Sequence, residues 1–107
     1  MIDWSRIEEL REEVGPEDFP EVAELFLEEA GAAVARLSGA GTGQLGEDLH
    51  FLKGAALNLG FARVGELCAN GEERARAGLP AETGAILAAW SESRAAFLAR
   101  MAPAMGR

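Results

Sequence analysis

The stretch of sequence that decides the fold runs from Leu45 to Leu59 and reads LGEDLHFLKGAALNL. Five of its apolar residues recur at alternating steps of four and three, namely Leu45, Leu49, Leu52, Ala56 and Leu59. This spacing places all of them on one face of an α-helix, whereas a half-buried strand would alternate at every second residue. Gly60 follows, where a left-handed residue commonly ends a helix. The spacing therefore predicts a helix from about Gln44 to Asn58 with one side buried.

The same periodicity predicts four more helices, which glycine and proline separate. They run from about Ser5 to Val14, from Asp18 to Leu37, from Ala62 to Ala77 and from Pro80 to just before Pro103. In the first of these, Ser5 and Glu8 fit a capping box. The apolar face of the second is predicted to comprise Val22, Leu25, Phe26, Ala30, Ala33, Val34 and Leu37. In the last helix, the face is Ile86, Trp90, Phe97 and Met101.

The number and length of these helices indicate the architecture. Ala, Leu, Glu and Arg are abundant and Tyr is absent, which favours helices over strands. Helices of similar length with short connections pack most simply as an antiparallel up-down-up-down four-helix bundle. We therefore expect an all-α fold with the short N-terminal helix across one end of the bundle. Residues 1–107 are long enough for a single domain with a single core.

Charge and cysteine content exclude several classes of protein. The chain has 10 Lys and Arg against 18 Asp and Glu, so its formal net charge is 10 − 18 = −8. Such an acidic balance argues against binding to nucleic acid or to an anionic membrane surface. The single cysteine, Cys68, cannot form an internal disulfide, which suits a reducing cytoplasm. No apolar stretch approaches the ~20 residues needed to span a bilayer.

Common catalytic and metal-binding motifs are missing from the sequence. The glycine-rich run 39–43 lacks the Lys-Ser/Thr ending of a phosphate-binding loop and lies between helices, which indicates a flexible linker. One histidine and one cysteine, eighteen positions apart, make a poor zinc site. Cys68 lies on an apolar helix face and is expected to be buried. The sequence therefore predicts no metal or cofactor held by the chain itself and no independent catalytic turnover.

The sole histidine has unusual surroundings. The buried face of its helix turns His50 and Lys53 to the flank, where residues three apart are neighbours. Gly46 and Gly54 lie one turn before and one turn after His50. Glycine inside a helix costs about 1 kcal/mol relative to alanine, so two of them around one histidine require a reason. The reason we infer is access, because small neighbours leave the imidazole open to a bulky reactant.

Two interpretations of this cluster follow from the residues alone. An exposed imidazole is largely neutral and nucleophilic near neutral pH, and Lys53 offers a positive charge to an arriving anion. This favours a histidine that carries a phosphoryl group. Alternatively, His50 is a solvated surface residue and Lys53 a solubilising charge.

A family resemblance favours the first interpretation. The run HFLKGAALNLG at 50–60 resembles the motif of histidine-containing phosphotransfer (HPt) domains, His-x-Leu-Lys-Gly-small-small-x-x-apolar-Gly. Further landmarks occur in the family's order along the chain, at 2–10, 15–26, 67–68 and 72–78. The chain departs from the family at Ala55 and Ala56, where serine is common, and in having Glu47 and Asp48 just before His50. The alanines keep these positions small, and Asp48 is expected to point away from the histidine.

The resemblance implies a mechanism and partners. His50 Nε2 would accept a phosphoryl group from the aspartate of a response-regulator receiver domain or from a hybrid histidine kinase, and pass it to another receiver. The receiver would hold Mg²⁺, Lys53 would stabilise charge, and Arg76 would offer a second positive charge. An apolar surface at Phe51 and Leu57 would bind the partner. The chain is expected to be a cytoplasmic monomer; the alternative is a helical interaction module that binds a receiver without carrying phosphate.

Overall fold

The protein is all-helical in the part that the structure describes. The structure is a computed structural model and describes residues 2–38 and 45–101. Within these ranges there are five helices and no strand. The helices are α1 (Trp4–Val14), α2 (Phe19–Ser38), α3 (Leu45–Asn58), α4 (Ala62–Arg76) and α5 (Thr83–Met101). The predicted all-α class is confirmed, whereas the linker predicted at 39–43 and the stop predicted at Pro103 lie outside the described residues.

Two helices begin at other residues than the sequence predicts. α1 begins after Asp3, whose side chain accepts a hydrogen bond from the Arg6 N–H at 3.1 Å, so Asp3 rather than Ser5 is the N-cap. α5 begins at Thr83 and not at Pro80. Pro80 belongs to the preceding loop, where its carbonyl oxygen accepts a 2.7 Å hydrogen bond from Arg74 Nε. In α1 and α5, a hydrogen bond to a residue outside the apolar pattern, Asp3 or Pro80, fixes the backbone before the first turn of the helix.

The core lies between the predicted apolar faces, with one exception in α2. Buried residues of α3 and α5 include Leu49, Leu52, Phe97 and Met101, as predicted. Leu25 of α2 is instead exposed, and Ala23 is buried. A helix advances about 100° per residue, which turns Leu25 about 140° away from the buried Ala30 but leaves Ala23 nearly in line with it. The prediction for Leu25 was wrong because the position of a residue around the helix axis, and not its hydrophobicity alone, decides whether it is buried.

The contacts between helices show how the elements are arranged. α2 contacts both α3 and α5, α3 contacts α4, α4 contacts α5, and α1 contacts α2 and α3. Leu49, near the start of α3, lies against Gly71, near the end of α4. Leu57, near the end of α3, lies against Gly65, near the start of α4. α3 and α4 therefore run antiparallel. No helix within 2–38 and 45–101 is long and apolar enough to cross a membrane.

α1 packs against the turn that joins α3 to α4. The Asp3 N–H donates a 2.6 Å hydrogen bond to Gly60 O, and the Arg6 guanidinium donates one of 3.1 Å to the Asn58 side chain. Gly60 has φ +76°, and a Cβ there would lie 2.5 Å from Asp3 O, so both its backbone angle and its contact with α1 require glycine. Asn58 is eight residues beyond His50, which is about 12 Å along the helix axis. α1 therefore braces the α3–α4 turn and not the histidine itself.

Candidate functional site

His50 projects from α3 into solvent. Its side chain is 73% exposed, whereas its neighbours Leu49 and Leu52 are fully buried. Lys53, one turn further along α3, is partly buried and lies on the side that faces α4. The apolar pattern of α3 thus places both side chains off the buried face, as the sequence predicts, and the structure adds that the Lys53 ammonium lies at the α3–α4 seam.

A buried carboxylate from α4 brings the polar groups of the site together. Glu72 Oε1 lies 2.8 Å from Lys53 Nζ, and Oε2 lies 3.4 Å from His50 Nδ1 and 3.7 Å from an Arg76 guanidinium nitrogen. The Glu72 side chain is only 10% exposed, and Arg76 is largely in solvent. We name His50, Lys53, Glu72 and Arg76 the Glu72 cluster. The structure therefore places the predicted residues His50, Lys53 and Arg76 around a group that the sequence analysis gave no role.

The electrostatics of the cluster favour an ionised Glu72. The Lys53 ammonium lowers the pKa of Glu72 most strongly, burial opposes this by raising it, and His50 lowers it further. The net shift is downward, so the carboxylate is negative at neutral pH. A negative carboxylate beside Nδ1 favours the tautomer that has its proton on Nδ1. The lone pair of the neutral ring is then on Nε2, on the opposite side of the imidazole from Glu72.

Two glycines of α4 allow Glu72 to come this close. A Cβ at Gly65 would lie 2.6 Å from Leu57 Cδ2, and a Cβ at Gly71 would lie 3.2 Å from Leu49 Cδ1. A larger residue at Gly65 would therefore push α4 away from α3, and one at Gly71 would crowd Leu49 beside the cluster. The short distances from Glu72 to His50 and Lys53 depend on this close helix packing.

The space on either side of His50 is open. Gly46 and Gly54 are exposed, and a Cβ at either would meet no atom within 4 Å. Phe51 and Leu57, the predicted partner-binding residues, are also exposed, although Leu57 rests partly against Gly65. A reactant can thus approach the imidazole along α3 without displacing a side chain at the two glycines.

The second carboxylate near the histidine has another role. Asp48 is buried and accepts a 2.7 Å hydrogen bond from Arg36 Nε of α2. It therefore points towards α2, where its charge is paired, and the sequence analysis had expected only that it points away from the histidine. Glu47 remains exposed at the start of α3.

Glu72 could have been found in the sequence by its position. Val64 and Cys68 are buried on the inner face of α4, and Glu72 continues their spacing of four residues. A carboxylate in an apolar stripe must be paired or bound, because burying an unpaired charge is costly. Lys53, on the preceding helix α3, is a cation available to pair with it.

The remaining candidate groups take no part in the cluster. Cys68 is a free, buried thiol, and burial together with the nearby Glu72 charge raises its pKa to about 12, so it is not a thiolate at neutral pH. Among residues 2–38 and 45–101, no group of three or more His, Cys, Asp or Glu could hold a metal ion. Trp90 is buried in the core, and Trp4 lies under the Arg100 guanidinium at 4.3 Å.

Comparison with known families agrees with this geometry. The family model described as Hpt domain matches residues 5–101, which is most of the chain. Searches of curated proteins and of solved structures gave no match. The family match confirms the resemblance inferred from the residues around His50.

Proposed function

The chain belongs to the Hpt domain family, and from that premise we propose that it is a phosphocarrier which accepts a phosphoryl group on His50 Nε2. The donor is the phosphorylated aspartate of a response-regulator receiver domain or a hybrid histidine kinase, and the acceptor is a second receiver. The observation that supports this best is the orientation of the imidazole. Its Nδ1 faces the ionised Glu72 at 3.4 Å, which leaves Nε2 on the opposite side of a ring that is 73% exposed.

The transfer step needs no base from this chain. The Nε2 lone pair attacks phosphorus, the bond from phosphorus to the aspartyl oxygen breaks, and the aspartate leaves as a carboxylate. Nδ1 keeps its proton, so the ring becomes a cation, and Glu72 at 3.4 Å stabilises that charge. Transfer to the second receiver reverses these bond changes. Phosphoryl transfer depends on in-line placement and charge neutralisation, and the receiver would contribute Mg²⁺.

The other site residues would position the partner and balance charge. Lys53 can turn from Glu72 towards the phosphoryl oxygens, and Arg76, in solvent beside Glu72, offers a second cation. Gly46 and Gly54 keep the approach open, and Phe51 and Leu57 offer apolar contact area. In this proposal the protein is a carrier, not an enzyme with its own turnover, and it acts as a monomer in the cytoplasm.

The same premise implies a particular arrangement of the helices. We propose that α2 to α5 form an antiparallel up-down-up-down four-helix bundle with α1 across one end. The antiparallel α3–α4 pair and the contacts that link α2, α3, α4 and α5 in a ring support this arrangement.

A phosphotransfer assay tests the function. Wild type and His50→Gln are mixed with a panel of phosphorylated receiver domains from the same organism in the presence of Mg²⁺. We expect label that is acid-labile and base-stable on wild type only, with unchanged helicity and thermal stability in His50→Gln because the side chain is largely in solvent. Wild type that stays unlabelled while it binds a receiver would establish the interaction module instead.

A second donor separates chemistry from docking. Phosphoramidate is a small molecule that can reach the imidazole without a protein interface. We expect it to label wild type on His50 as well. Labelling of His50→Gln by either donor would contradict the assignment of the phosphorylated atom.

A further inference from the structure

A cleft beside the Glu72 cluster has the character of a protein-binding surface. Its apolar walls are formed by Leu45 at the start of α3, Ala75 near the end of α4, and Leu79 and Pro80 in the α4–α5 loop. Charges of both signs line it as well, with Glu47 on α3 and Arg76 on α4. Glu72 contributes to its lining, so the cleft and the reactive histidine share a residue.

Leu79 is held in this cleft by a rigid turn. The Leu79 N–H donates to Arg74 O at 2.8 Å and the Gly78 N–H donates to Ala75 O at 3.1 Å, and Gly78 has φ +76°. These are the two hydrogen bonds of a Schellman motif at the end of α4. Arg74 Nε also binds Pro80 O at 2.7 Å, which ties the loop to the helix on the other side of Leu79.

The same motif shows that Leu79 lacks its usual partner. A residue in this position of a Schellman motif commonly packs against an apolar residue in the last turn of the helix. Here the corresponding residue is Arg74, and Leu79 remains 52% exposed. Leu79 is fixed in place, exposed, and joined by the other apolar residues of the cleft, Leu45, Ala75 and Pro80, so the group offers an apolar surface to a partner outside its own helix.

The usual size of a protein–protein interface indicates which partner would contact Leu79. A standard interface covers about 800 Å² on each partner, which corresponds to a disc with a radius of about 16 Å. Gly46, in the cleft wall, is one helical turn from His50, and Glu72, also in the wall, contacts the imidazole. An interface of that size centred on Nε2 therefore extends over this region.

We propose that this cleft receives an apolar side chain of the receiver domain that exchanges phosphate with His50, and that Arg76 pairs with a carboxylate next to that side chain. The proposal rests on the phosphocarrier function. The aliphatic wall fits an apolar group, and the exposed Arg76 at the rim complements a negative charge on the partner. The cleft, together with Arg76 at its rim, would select among receivers, whereas His50, Lys53 and Glu72 would act on all of them alike.

Two leucines with matched exposure provide the test. Leu79→Gln removes the proposed contact, and Leu25→Gln changes a leucine of α2 that is 54% exposed but does not line the cleft. Dissociation constants are measured for purified, unphosphorylated receiver domains with Mg²⁺, so this readout does not require phosphotransfer. Labelling by phosphoramidate is measured in parallel on each variant.

We expect Leu79→Gln to weaken binding of the cognate receiver about fivefold, while Leu25→Gln binds like wild type. Phosphoramidate should label both variants as it labels wild type. An unchanged dissociation constant for Leu79→Gln would overturn the proposal. So would a clear drop in its melting temperature, because the leucine would then be covered by its own chain.

The two proposals fail in different ways. If phosphoramidate and receivers leave wild type unlabelled, but Leu79→Gln still weakens receiver binding, the phosphocarrier function fails and the docking cleft stands. If wild type is labelled and Leu79→Gln binds receivers normally, the docking cleft fails and the phosphocarrier function stands.

Discussion

Two buried carboxylates, Asp48 of α3 and Glu72 of α4, join α3 to its neighbouring helices and are paired in different ways. Asp48 is paired with a single guanidinium, Arg36 of α2, at 2.7 Å. Glu72 of α4 is shared by Lys53, His50 and Arg76 at 2.8, 3.4 and 3.7 Å. Both side chains are almost fully buried, so burial alone does not distinguish them.

The difference lies in what each carboxylate has next to it. Asp48 has a single charged partner, the Arg36 guanidinium, and this pair ties α3 to α2. Glu72 contacts the His50 imidazole as well as Lys53 and Arg76, and in the proposed function this imidazole would change its charge and its covalent state. A buried carboxylate with one fixed partner is a structural link, whereas one with several adaptable partners can respond to a reaction.

The largest expected effect comes from neutralising the two carboxylates in turn. Glu72→Gln should slow phosphotransfer from a receiver to His50 about 10- to 100-fold, because the ring loses the group that orients it and balances its charge. Asp48→Asn should leave the rate within about twofold of wild type and lower the free energy of unfolding by about 1 kcal/mol. Single-turnover transfer rates and urea unfolding measure both quantities.

Equal losses of rate in these two variants would break the comparison. The same holds if Asp48→Asn slows transfer while Glu72→Gln does not. In either event, the carboxylate on the α2 side would belong to the reaction centre.

Filling the open space beside His50 is expected to have the next largest effect on the transfer rate. Gly54→Leu should slow transfer from a receiver about tenfold or more, because the new side chain stands in the path of the partner. Gly84→Leu is the matched control, since Gly84 is also a helical, exposed glycine with no atom within 4 Å of a Cβ. Both leucines should raise helix stability relative to glycine. Receiver transfer at the wild-type rate in Gly54→Leu would refute the access argument.

A smaller effect on the transfer rate is expected from removing Lys53 or Arg36, the cations that pair with Glu72 and Asp48. Lys53→Ala should slow transfer about three- to fivefold, because one partly solvated positive charge near the phosphoryl oxygens is lost. Arg36→Ala removes the cation on the other side of α3 and should leave the transfer rate unchanged. If both variants transfer at the wild-type rate, Lys53 only neutralises Glu72 and has no role in transfer.

The smallest expected effect is the contribution of Glu72 to the pH dependence of the free energy of unfolding. The pKa of Glu72 is lowered in the folded protein, chiefly by Lys53, whereas an unfolded glutamate titrates near ~4.3. The resulting stabilisation is complete above that value and is lost as the pH falls towards the lowered pKa. The difference in unfolding free energy between wild type and Glu72→Gln should therefore shrink below about pH 4.3. A difference that stays constant or grows down to pH 3 would contradict the assigned direction of the shift.

The helices were predictable from sequence wherever apolar spacing alone defines them. The face of α3 and the last helix's row of Ile86, Trp90, Phe97 and Met101 are buried as predicted. The errors arose where other forces decide. Asp3 replaced Ser5 as the cap of α1 through a single hydrogen bond, and Pro80 belongs to a loop held by Arg74.

For the site, the sequence predicted the residues of α3 but not their partner on α4. His50, Lys53 and the flanking glycines lie within one helix, so their relation follows from helical geometry. Glu72 is 22 residues from His50, and its contact depends on the distance between two helices. That distance is set by Gly65 and Gly71, whose role is visible only when the helices are packed together.

The groups that meet at Glu72 all belong to one helical hairpin, and this has a consequence for the order of folding. Closing a loop between residues 22 apart costs less chain entropy than bringing α2 and α5 together, because the entropic cost rises with loop length. In pulsed hydrogen exchange during refolding, the amides of α3 and α4 should therefore be protected before those of α5. The Glu72 cluster would then form before the rest of the domain has closed around it.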